Sequence, residues 1–301
     1  MVNFSLFIIS LLSIFCHEDQ SGKSIANPIN PFDYNLSDPD KIYTLPSVLN
    51  EISGISETGA SSIACIQDEN GILFFYDLIK EQINKKYSFY SDGDYEGIAR
   101  VDKAVYILRS DGTLFEIANY ESALFKRVIY KMGSIGKDNE GLCFDRKANR
   151  LLIAPKGEPG EKSGYKNKRV IYAFDLKSKK LSEKPVFVFD LSVIKKFALD
   201  NKIKVPMEKG KKEDKKKPII ELNTSAIGIH PYTNRLFVVS GMERLLFVFD
   251  MNGKIEYLEK LDSDIYNQPE GITFLTNGDM LISNERGDKK PTIVRCNYLR
   301  E

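Results

Sequence analysis

Short runs rich in Val, Ile, Tyr and Phe recur along the chain, with turn signals between them. Examples are "ILFFYDL" from Ile72, "AVYILRSD" from Ala104 and "LLFVFDM" from Leu245. Runs of this length that end near Asp-Gly or Asn-Gly pairs are typical of strands joined by tight turns. Long stretches of helical periodicity are nearly absent. The pattern therefore predicts an all-β fold.

A start motif in which glycine precedes Ile or Leu returns along the chain. Its copies are "NEISGIS" from Asn50, "DYEGIAR" from Asp94, "DNEGLCF" from Asp138, "TSAIGIH" from Thr224 and "QPEGITF" from Gln268. The intervals between the motif glycines, taken as Gly54, Gly97, Gly141, Gly228 and Gly271, are 43, 44, 87 and 43 residues. A period of this size is typical of one four-stranded β-propeller blade.

Each start motif is followed by a second and a third strand-like run, and by a more variable fourth. The last repeat ends at Glu301 without a fourth run. The segment "KIYTLP", Lys41 to Pro46, is the candidate for the missing strand. Pairing it with the last repeat would close the ring by joining the two ends of the chain.

The 87-residue interval raises the question of a sixth blade. Residues 151–191 supply the remaining strands of the third blade, which leaves only residues 192–222. These read as a short helical piece and a lysine-rich segment with hardly any strand pattern, so we predict a solvated surface insertion; a basic docking site is the alternative. The prediction is a five-bladed propeller over residues 40–301, with six blades as the alternative.

Composition and charge exclude several classes of function. Lys and Arg number 43 against 42 Asp and Glu, so no overall field draws the protein to nucleic acid. The two histidines, His17 and His230, give little material for a zinc site or a Ser-His-Asp triad. Three isolated cysteines in apolar runs, Cys65, Cys143 and Cys296, are expected to be buried free thiols. No oligomerisation signal is visible, and a monomer is expected.

The first 15 residues are almost wholly apolar and give way to polar sequence after Cys16. This is typical of a signal peptide, although the usual basic residues are missing, and the stretch is short for a membrane-spanning helix. We expect export to the periplasm or cell envelope, with residues 1–16 as the signal and 17–39 as a linker. Cys16 is a candidate for lipidation, and a plain cleaved signal is the equal alternative.

The repeated glutamates carry the candidate chemistry. The innermost strand of each blade lines the central tunnel, so Glu96, Glu140 and Glu270 are expected to converge at one mouth. Carboxylates gathered in this way repel each other unless a cation neutralises them, and Ca²⁺ accepts six to eight oxygens in loose geometry. Oxygen donors that flank the same motifs complete the expected shell: Glu51, Ser53, Asn139, Asn223 and Gln268. Asn284 or Glu285, in "LISNERGD", is a further candidate. A single glutamate is explained as well by hydrogen bonds to backbone, but three copies in register favour a shared ion site.

These motifs, together with "LFVVSGMERLLFVFDMNGKI" and "NQPEGITFLTNGDMLISNE", resemble the SdiA-regulated propeller family, a distant relative of NHL-repeat proteins. The resemblance covers residues 40–300. It implies a five-bladed propeller behind an N-terminal signal or anchor, calcium in a shared site and no established catalytic activity. It favours Glu140 and Glu270 as ligands, then Glu96. The copy "TSAIGI" departs from the pattern, because Ala226 and Ile227 stand where other copies have Glu.

Two functions remain open. The first is an exported calcium-binding module that recognises an unknown small molecule or protein at the tunnel mouth. The second is a calcium-dependent hydrolase of the phytase, lactonase or esterase type. Ligand candidates at the rim are Tyr95, Lys156, Asn284, Glu285 and Arg286. Phytase-like chemistry needs more basic groups than this cluster offers, so the binding module is preferred.

Overall fold

The computed structural model describes residues 33–299 except 121, 123, 134–135, 137, 160–163, 204 and 206–218. The predicted signal with Cys16, His17, most of the predicted linker and most of the lysine-rich segment lie outside the described residues. Within them, antiparallel strands form five sheets arranged as the blades of a propeller. The predicted all-β fold and the blade count of five are confirmed.

The strands follow one another in the predicted order. The chain begins with β1 (Lys41–Thr44) and a short 3-10 helix (Ser47–Leu49). Blade 1 is β2 to β5 (Ile52–Gly59, Ser62–Gln67, Ile72–Asp77, Gln82–Ser88). Blade 2 is β6 to β9 (Tyr95–Val101, Ala104–Arg109, Thr113–Ala118, Lys126–Lys131). Blade 3 is β10 to β14 (Asn139–Asp145, Arg150–Pro155, Lys168–Asp175, Lys180–Leu181, Phe187–Asp190). Blade 4 is β15 to β18 (Thr224–Ile229, Leu236–Ser240, Leu245–Phe249, Ile255–Lys260), and blade 5 contains β19 to β21 (Pro269–Phe274, Met280–Asn284, Thr292–Cys296).

The two ends of the propeller meet in blade 5. Strand β1 pairs antiparallel with β21, with Ile42 opposite Val294 and Tyr43 opposite Ile293. The sheet order is therefore β1-β21-β20-β19, and the N-terminal strand supplies the outer edge. The predicted closure by Lys41 to Pro46 is confirmed.

The long interval between blades 3 and 4 holds no sixth blade among the described residues. In blade 3, β12 pairs with β13 near one end and with β14 near the other, so two short strands share the outer position. Helix α1 (Leu191–Asp200) then begins after Asp190, whose carboxylate accepts a hydrogen bond from the Ser192 N–H. No helix of the described residues is long and apolar enough to cross a membrane.

The hydrophobic core is divided into five clusters, one between each pair of neighbouring blades. Middle strands are packed on both faces, which explains their unbroken apolar runs: all five residues of β16 and of β17 are buried. Outer strands such as β9 are mostly exposed and carry lysines at their ends, which protects a free edge. Cys65, Cys143 and Cys296 are buried free thiols, as predicted.

Candidate functional site

One β-bulge near the start of each innermost strand shapes the tunnel mouth. In all five blades the pairing with the second strand skips one residue at this point. The skipped residues are Ser53, Glu96, Glu140, Ser225 and Glu270, and all five line the same narrow space at the axis. A bulge leaves its extra residue out of the ladder and redirects its side chain. The repeated motif is therefore a device that presents one polar side chain per blade to the tunnel.

The position of the bulge in blade 4 shows that the motif alignment predicted from the sequence is wrong for this blade. Ser225 occupies the position of the glutamates, and Ala226 stands where the other blades have glycine. The prediction had taken Gly228 as the motif glycine and had placed Ala226 and Ile227 opposite the glutamates, which is two residues out of register. The spacing from Gly141 to Ala226 is 85 residues, and from Ala226 to Gly271 it is 45.

The motif glycines bring neighbouring inner strands into close contact. A Cβ atom on Gly97 would lie 2.6 Å from the Leu142 Cβ and 2.8 Å from the Glu140 carbonyl oxygen of the next blade. At the junction of the chain ends, a Cβ on Gly271 would lie 3.2 Å from a side-chain carbon of Ile55. The motif therefore packs the glycine of one blade under the Ile or Leu of the next.

Two further sets of side chains surround the bulged residues. One set lies two positions before each bulge: Glu51, Asp94, Asp138, Asn223 and Gln268. The other follows the end of each second strand: Asp68, Ser110, Lys156, Gly241 and Glu285. In four blades a backbone N–H of the latter set donates to a carbonyl of the former, at 2.9–3.1 Å. Of these fifteen positions, eight carry a carboxyl group and only Lys156 carries an amine.

The first carboxyl triad joins blades 2 and 3. Oxygen atoms of Asp94, Glu96 and Asp138 lie within 4.8 Å of one another. Burial, together with the nearby Glu140 and Asp94, raises the pKa of Glu96 to about 9. Asp94 also accepts a hydrogen bond from the Ser110 hydroxyl at 2.5 Å.

Glu140 is held differently, by an ion pair inside blade 3. Its Oε1 lies 2.5 Å from the Lys156 Nζ, and a second carboxylate, Asp138, lies 3.9 Å from the same amine. Burial raises the pKa of Glu140 to about 8, although Lys156 opposes the shift. Burial disfavours the ammonium, but the hydrogen bond to Glu140 and the negative charges of Glu140, Asp138 and Glu270 together outweigh this, so the pKa of Lys156 is raised and the amine stays charged.

The side chain of Glu270 contacts residues of blade 4. Its carboxylate is hydrogen-bonded to Ser225, and the Ser225 hydroxyl also accepts from the Gly241 N–H at 3.2 Å. A Cβ on Gly241 would lie 2.5 Å from the Pro269 carbonyl oxygen and 2.9 Å from the Glu270 Oε1, so a larger residue would not fit here. Burial raises the pKa of Glu270, while the hydrogen bond from Ser225 lowers it.

The second carboxyl triad joins blades 5 and 1. Oxygen atoms of Glu51, Asp68 and Glu285 lie within 4.8 Å of one another. Burial raises the pKa of Glu285 to about 8, helped by Glu270 and Glu51, and burial raises the pKa of Asp68 to about 6. The amide of Gln268 donates to Glu285 and orients it.

Two buried oxygen atoms of blades 1 and 5 lack a hydrogen-bond donor among the described residues. They are the buried Oδ1 atoms of Asp68 and Asn284. Asn284 is fully buried, and its amide nitrogen donates to the Thr292 hydroxyl at 3.1 Å. Buried acceptors without a donor are uncommon in proteins and point to an absent partner.

Several predicted site residues lie elsewhere or serve the fold. Tyr95 is fully buried against Phe89 and Phe115, so it is not a rim residue. Asn139 is buried and donates to the Ser110 carbonyl at 2.8 Å, and Asn223 donates to the Glu243 carboxylate at 2.7 Å. Neither belongs to a carboxyl triad.

Two other predicted residues, Ser53 and Arg286, make contacts that belong to the fold, and so does His230. Ser53 lies at the axis and donates to the Tyr95 carbonyl at 2.6 Å. The side chain of Arg286 is exposed, and its backbone N–H donates to the Asn50 carbonyl at 2.8 Å. His230 is buried just after the end of β15, where its Nδ1 accepts from the backbone N–H groups of Tyr232 and Thr233.

Asp68, Asp94 and Asp138 were missed by the sequence analysis. A signal for two of them was present, since Asp94 and Asp138 both precede the motif glutamate by two positions. Asp68 has no such signal, because its place beside Glu51 depends on the pairing of β2 with β3.

An apolar layer closes the tunnel directly behind the carboxyl groups. It is formed by one residue from each blade, and each is at most 5% exposed: Ile55, Ile98, Leu142, Ile227 and Ile272. The mouth is therefore a shallow acidic funnel with an apolar floor. Oxygen ligands that converge without enough amines to neutralise them are suited to hold a hard cation.

Fold and site together define a five-bladed β-propeller with an acidic tunnel mouth. Residues 200–297 match the family described as SdiA-regulated, which confirms the resemblance predicted from the motifs for this part of the chain. No curated protein sequence matches the chain.

Solved structures align with the chain at low sequence identity. The crystal structure of Myxococcus xanthus glutaminyl cyclase aligns with a TM-score of 0.57 at 12% identity, over 86% of this chain and 95% of that one. A streptogramin B lyase aligns with a TM-score of 0.48 at 10% identity, over 85% of this chain and 96% of that one. At these identities the similarity to the cyclase shows a shared fold only.

Proposed function

We propose that the acidic mouth binds a hard divalent cation, and that the protein is a binding or scaffold module that recognises its ligand there. The observation that carries the proposal is the convergence of eight carboxyl groups on one mouth against the single amine of Lys156. Like charges this close raise one another's pKa, and a cation removes that cost.

Calcium fits the mouth better than magnesium. The two triads offer mono- or bidentate carboxylates on flexible side chains, and the buried Oδ1 atom of Asp68 in the second triad has no hydrogen-bond donor among the described residues. Ca²⁺ accepts such irregular sets, whereas Mg²⁺ requires near-octahedral geometry and retains its water. Glu96 from one triad and Glu285 from the other are the ligands we expect to contribute most, with Glu140 and Glu270 between them.

A bound cation would also create a recognition site. Because the apolar floor blocks the tunnel, the cation would be approached only from the open side of the funnel. Its remaining coordination positions would then be available to an oxygen atom of a small molecule or of a partner protein. Exchange of water for such an oxygen is the simplest way for this mouth to bind a ligand.

The experiment is thermal unfolding of the metal-free protein with increasing Ca²⁺. At a concentration 100 times the Kd, binding stabilises a protein by about 2.7 kcal/mol, which raises Tm by about 5–10 °C for a domain of this size. Glu96→Gln and Glu285→Gln each remove one carboxylate from one triad, and we expect each to weaken Ca²⁺ binding about tenfold or more. The matched control is Glu183→Gln, an exposed glutamate outside the mouth.

Unchanged melting in millimolar Ca²⁺ would overturn the proposal. So would equal Ca²⁺ binding by the wild type, Glu96→Gln and Glu285→Gln, because the cation would then lie elsewhere.

A cation-assisted hydrolase is the second candidate. It is favoured by Glu96 and Glu140, whose raised pKa values of about 9 and about 8 suit them to donate or accept a proton near neutral pH. The test is turnover of phosphate esters, lactones, aryl esters and, in view of the cyclase fold, a glutaminyl peptide, with and without chelator. Calcium-dependent turnover that is lost in Glu96→Gln would favour the enzyme over the binding module.

The same proposal places the protein outside the cytoplasm. The apolar sequence of residues 1–15 supports export, and extracellular calcium is abundant enough for sites with a Kd of about 10⁻⁴–10⁻³ M. Fractionation of cells that produce the full chain tests this, and Cys16→Ala separates the two modes of export. Loss of membrane association in Cys16→Ala indicates a lipid anchor, while wild-type protein found only in the cytoplasm contradicts export.

A further inference from the structure

The opposite end of the tunnel holds a separate cavity of about 260 Å³. Its floor is the other side of the apolar layer described above, formed by Ile55, Ile98, Leu142, Ile227 and Ile272. The two mouths therefore do not communicate through the described structure. A ligand in this cavity would not touch the carboxyl triads.

The cavity exists because the next position of every inner strand is small. The five residues that follow the apolar layer are Ser56, Ala99, Cys143, Gly228 and Thr273, and all of them line the cavity. Two of them also link neighbouring inner strands by hydrogen bonds. The Ser56 hydroxyl accepts from the backbone N–H of Arg100 at 3.0 Å, and the Thr273 hydroxyl accepts from the backbone N–H of Glu57 at 3.2 Å. A large side chain at any of these positions would reduce the cavity.

The wall above this layer is apolar on one side and charged on the other. Blades 3, 4 and 5 contribute Phe144, Ile229 and Phe274. Blades 1 and 2 contribute Glu57 and Arg100, whose Nη1 lies 3.1–3.2 Å from both carboxylate oxygens. This ion pair neutralises Glu57, so the wall carries no free negative charge of its own.

Two further cationic side chains lie at the rim of the cavity. Arg146 and Lys147 line the cavity, and both are exposed. Neither lies within ion-pair distance of a carboxylate in the described part of the chain. Around the cavity, three cationic side chains therefore face one carboxylate, which is the reverse of the charge at the acidic mouth.

We infer that this cavity binds a small organic anion, a monocarboxylate with an apolar body. The hydrocarbon part lies on the isoleucine floor and against Phe144 and Phe274, and the carboxylate lies at the open end near Arg146 and Lys147. Burial of apolar surface supplies the affinity, and the cations supply the selection for charge. The volume is below the range of about 300–1,000 Å³ typical of drug-sized ligands, which favours a short acid.

The experiment compares octanoate with its uncharged counterpart 1-octanol, by calorimetry on the full chain. We expect octanoate to bind about tenfold or more tightly than the alcohol. The double variant Arg146→Ala/Lys147→Ala should weaken octanoate binding about tenfold and leave octanol binding unchanged. The matched control removes two exposed lysines of the outer strand of blade 1, as Lys85→Ala/Lys86→Ala, and should change neither.

A second variant tests the cavity itself. Ala99→Leu places a larger side chain in the layer of small residues and should abolish binding of both probes, provided that its melting curve shows a folded protein. The rim variants are exposed and do not depend on that condition. Octanoate binding no tighter than octanol, or unaffected by loss of Arg146 and Lys147, would overturn the inference.

Because the two mouths are separated, this result is independent of the cation proposal. Glu285→Gln should leave octanoate binding unchanged, whether or not Ca²⁺ binds at the other mouth.

Discussion

The two mouths of the tunnel are built from the same five strands and differ in almost every chemical respect. At the beginning of the strands, bulges direct Glu96, Glu140 and Glu270 to the axis. Beyond the apolar layer the strands carry small residues and open into a cavity with cations at its rim. One repeat of backbone geometry therefore supports an acidic funnel at one end and an apolar pocket at the other.

The comparison shows that different positions of one inner strand serve the packing of the blades and the chemistry of the two mouths. The glycine and the Ile or Leu of each motif are used for packing between blades. The residue before the glycine and the residue after the Ile or Leu are left to vary, and these two positions determine the character of the two mouths. Substitutions in the packing positions should disturb both mouths, while substitutions in the varying positions should disturb one.

The largest effect is expected for Gly97→Val, which attacks the packing shared by both mouths. The added side chain would collide with Leu142 and the Glu140 backbone of blade 3. Overpacking of this kind costs about 1–3 kcal/mol, and backbone contact places this case at the upper end, about 3 kcal/mol. Urea unfolding measures the loss, and Gly157→Ala, where an added Cβ meets nothing within 4 Å, is the control. Equal stability of the two variants would disprove the packing role.

The second prediction concerns pH and the acidic mouth alone. The pKa of Glu96 in the fold is about 9, against an ordinary value of 4.5. Below pH 4.5 the group is protonated in both states and its contribution to stability is complete. As pH rises toward 9 the unfolded chain ionises first, so stability is lost, by at most about 1.4 kcal/mol per pH unit and less because Glu96 is partly exposed.

This loss is measured by urea unfolding in chelator at pH 5.5, 7 and 8.5. Glu96→Gln should flatten the dependence, since the amide does not titrate. Saturating Ca²⁺ should flatten it as well, because a bound cation stabilises the ionised form. A wild-type protein that becomes more stable between pH 5.5 and 8.5 without metal would contradict the prediction.

The third prediction concerns the ion pair between Lys156 and Glu140, whose removal should lower stability without metal and strengthen Ca²⁺ binding. Lys156→Met leaves Glu140 without its partner, and the metal-free protein should lose about 1–2 kcal/mol, reduced from the cost of a fully buried pair because Lys156 is partly exposed. The same change removes the one cation of the mouth, so Ca²⁺ should bind about tenfold more tightly. Calorimetric titration decides, and weaker Ca²⁺ binding would show that Lys156 supports the site and does not compete with the metal.

The smallest effect is expected at the other mouth. Arg146→Ala removes an exposed side chain, so the free energy of unfolding should change by less than about 0.5 kcal/mol. Ca²⁺ affinity should also remain unchanged, since the apolar layer separates Arg146 from the triads. A change in Ca²⁺ affinity after this substitution would mean that the two mouths are coupled.

The fold was largely predictable from the sequence because its signals are local. A period of about 43 residues, alternating strands and a spare N-terminal strand are sufficient to give five blades and the closure by β1. The convergence of Glu96, Glu140 and Glu270 at one mouth follows from the same period.

The details of the site depend on register, which the sequence does not reveal. Ser225 could be recognised as the fourth bulged residue only from its pairing with β16, because Gly228 offers a false motif two residues later. Asp68 reaches Glu51 and Glu285 through contacts across strands and between blades. Tyr95 was misplaced because alternation along the strand turns its ring into the core while Glu96 faces the axis.

The central claim is that the acidic mouth binds a divalent cation, and a crystal structure of the protein grown with Ca²⁺ tests it most directly. The account predicts an anomalous peak within about 2.3–2.6 Å of carboxylate oxygens from Glu96 or Glu285 and their triads. An acidic mouth that contains only water at saturating Ca²⁺, with Lys156 still paired to Glu140, would contradict it.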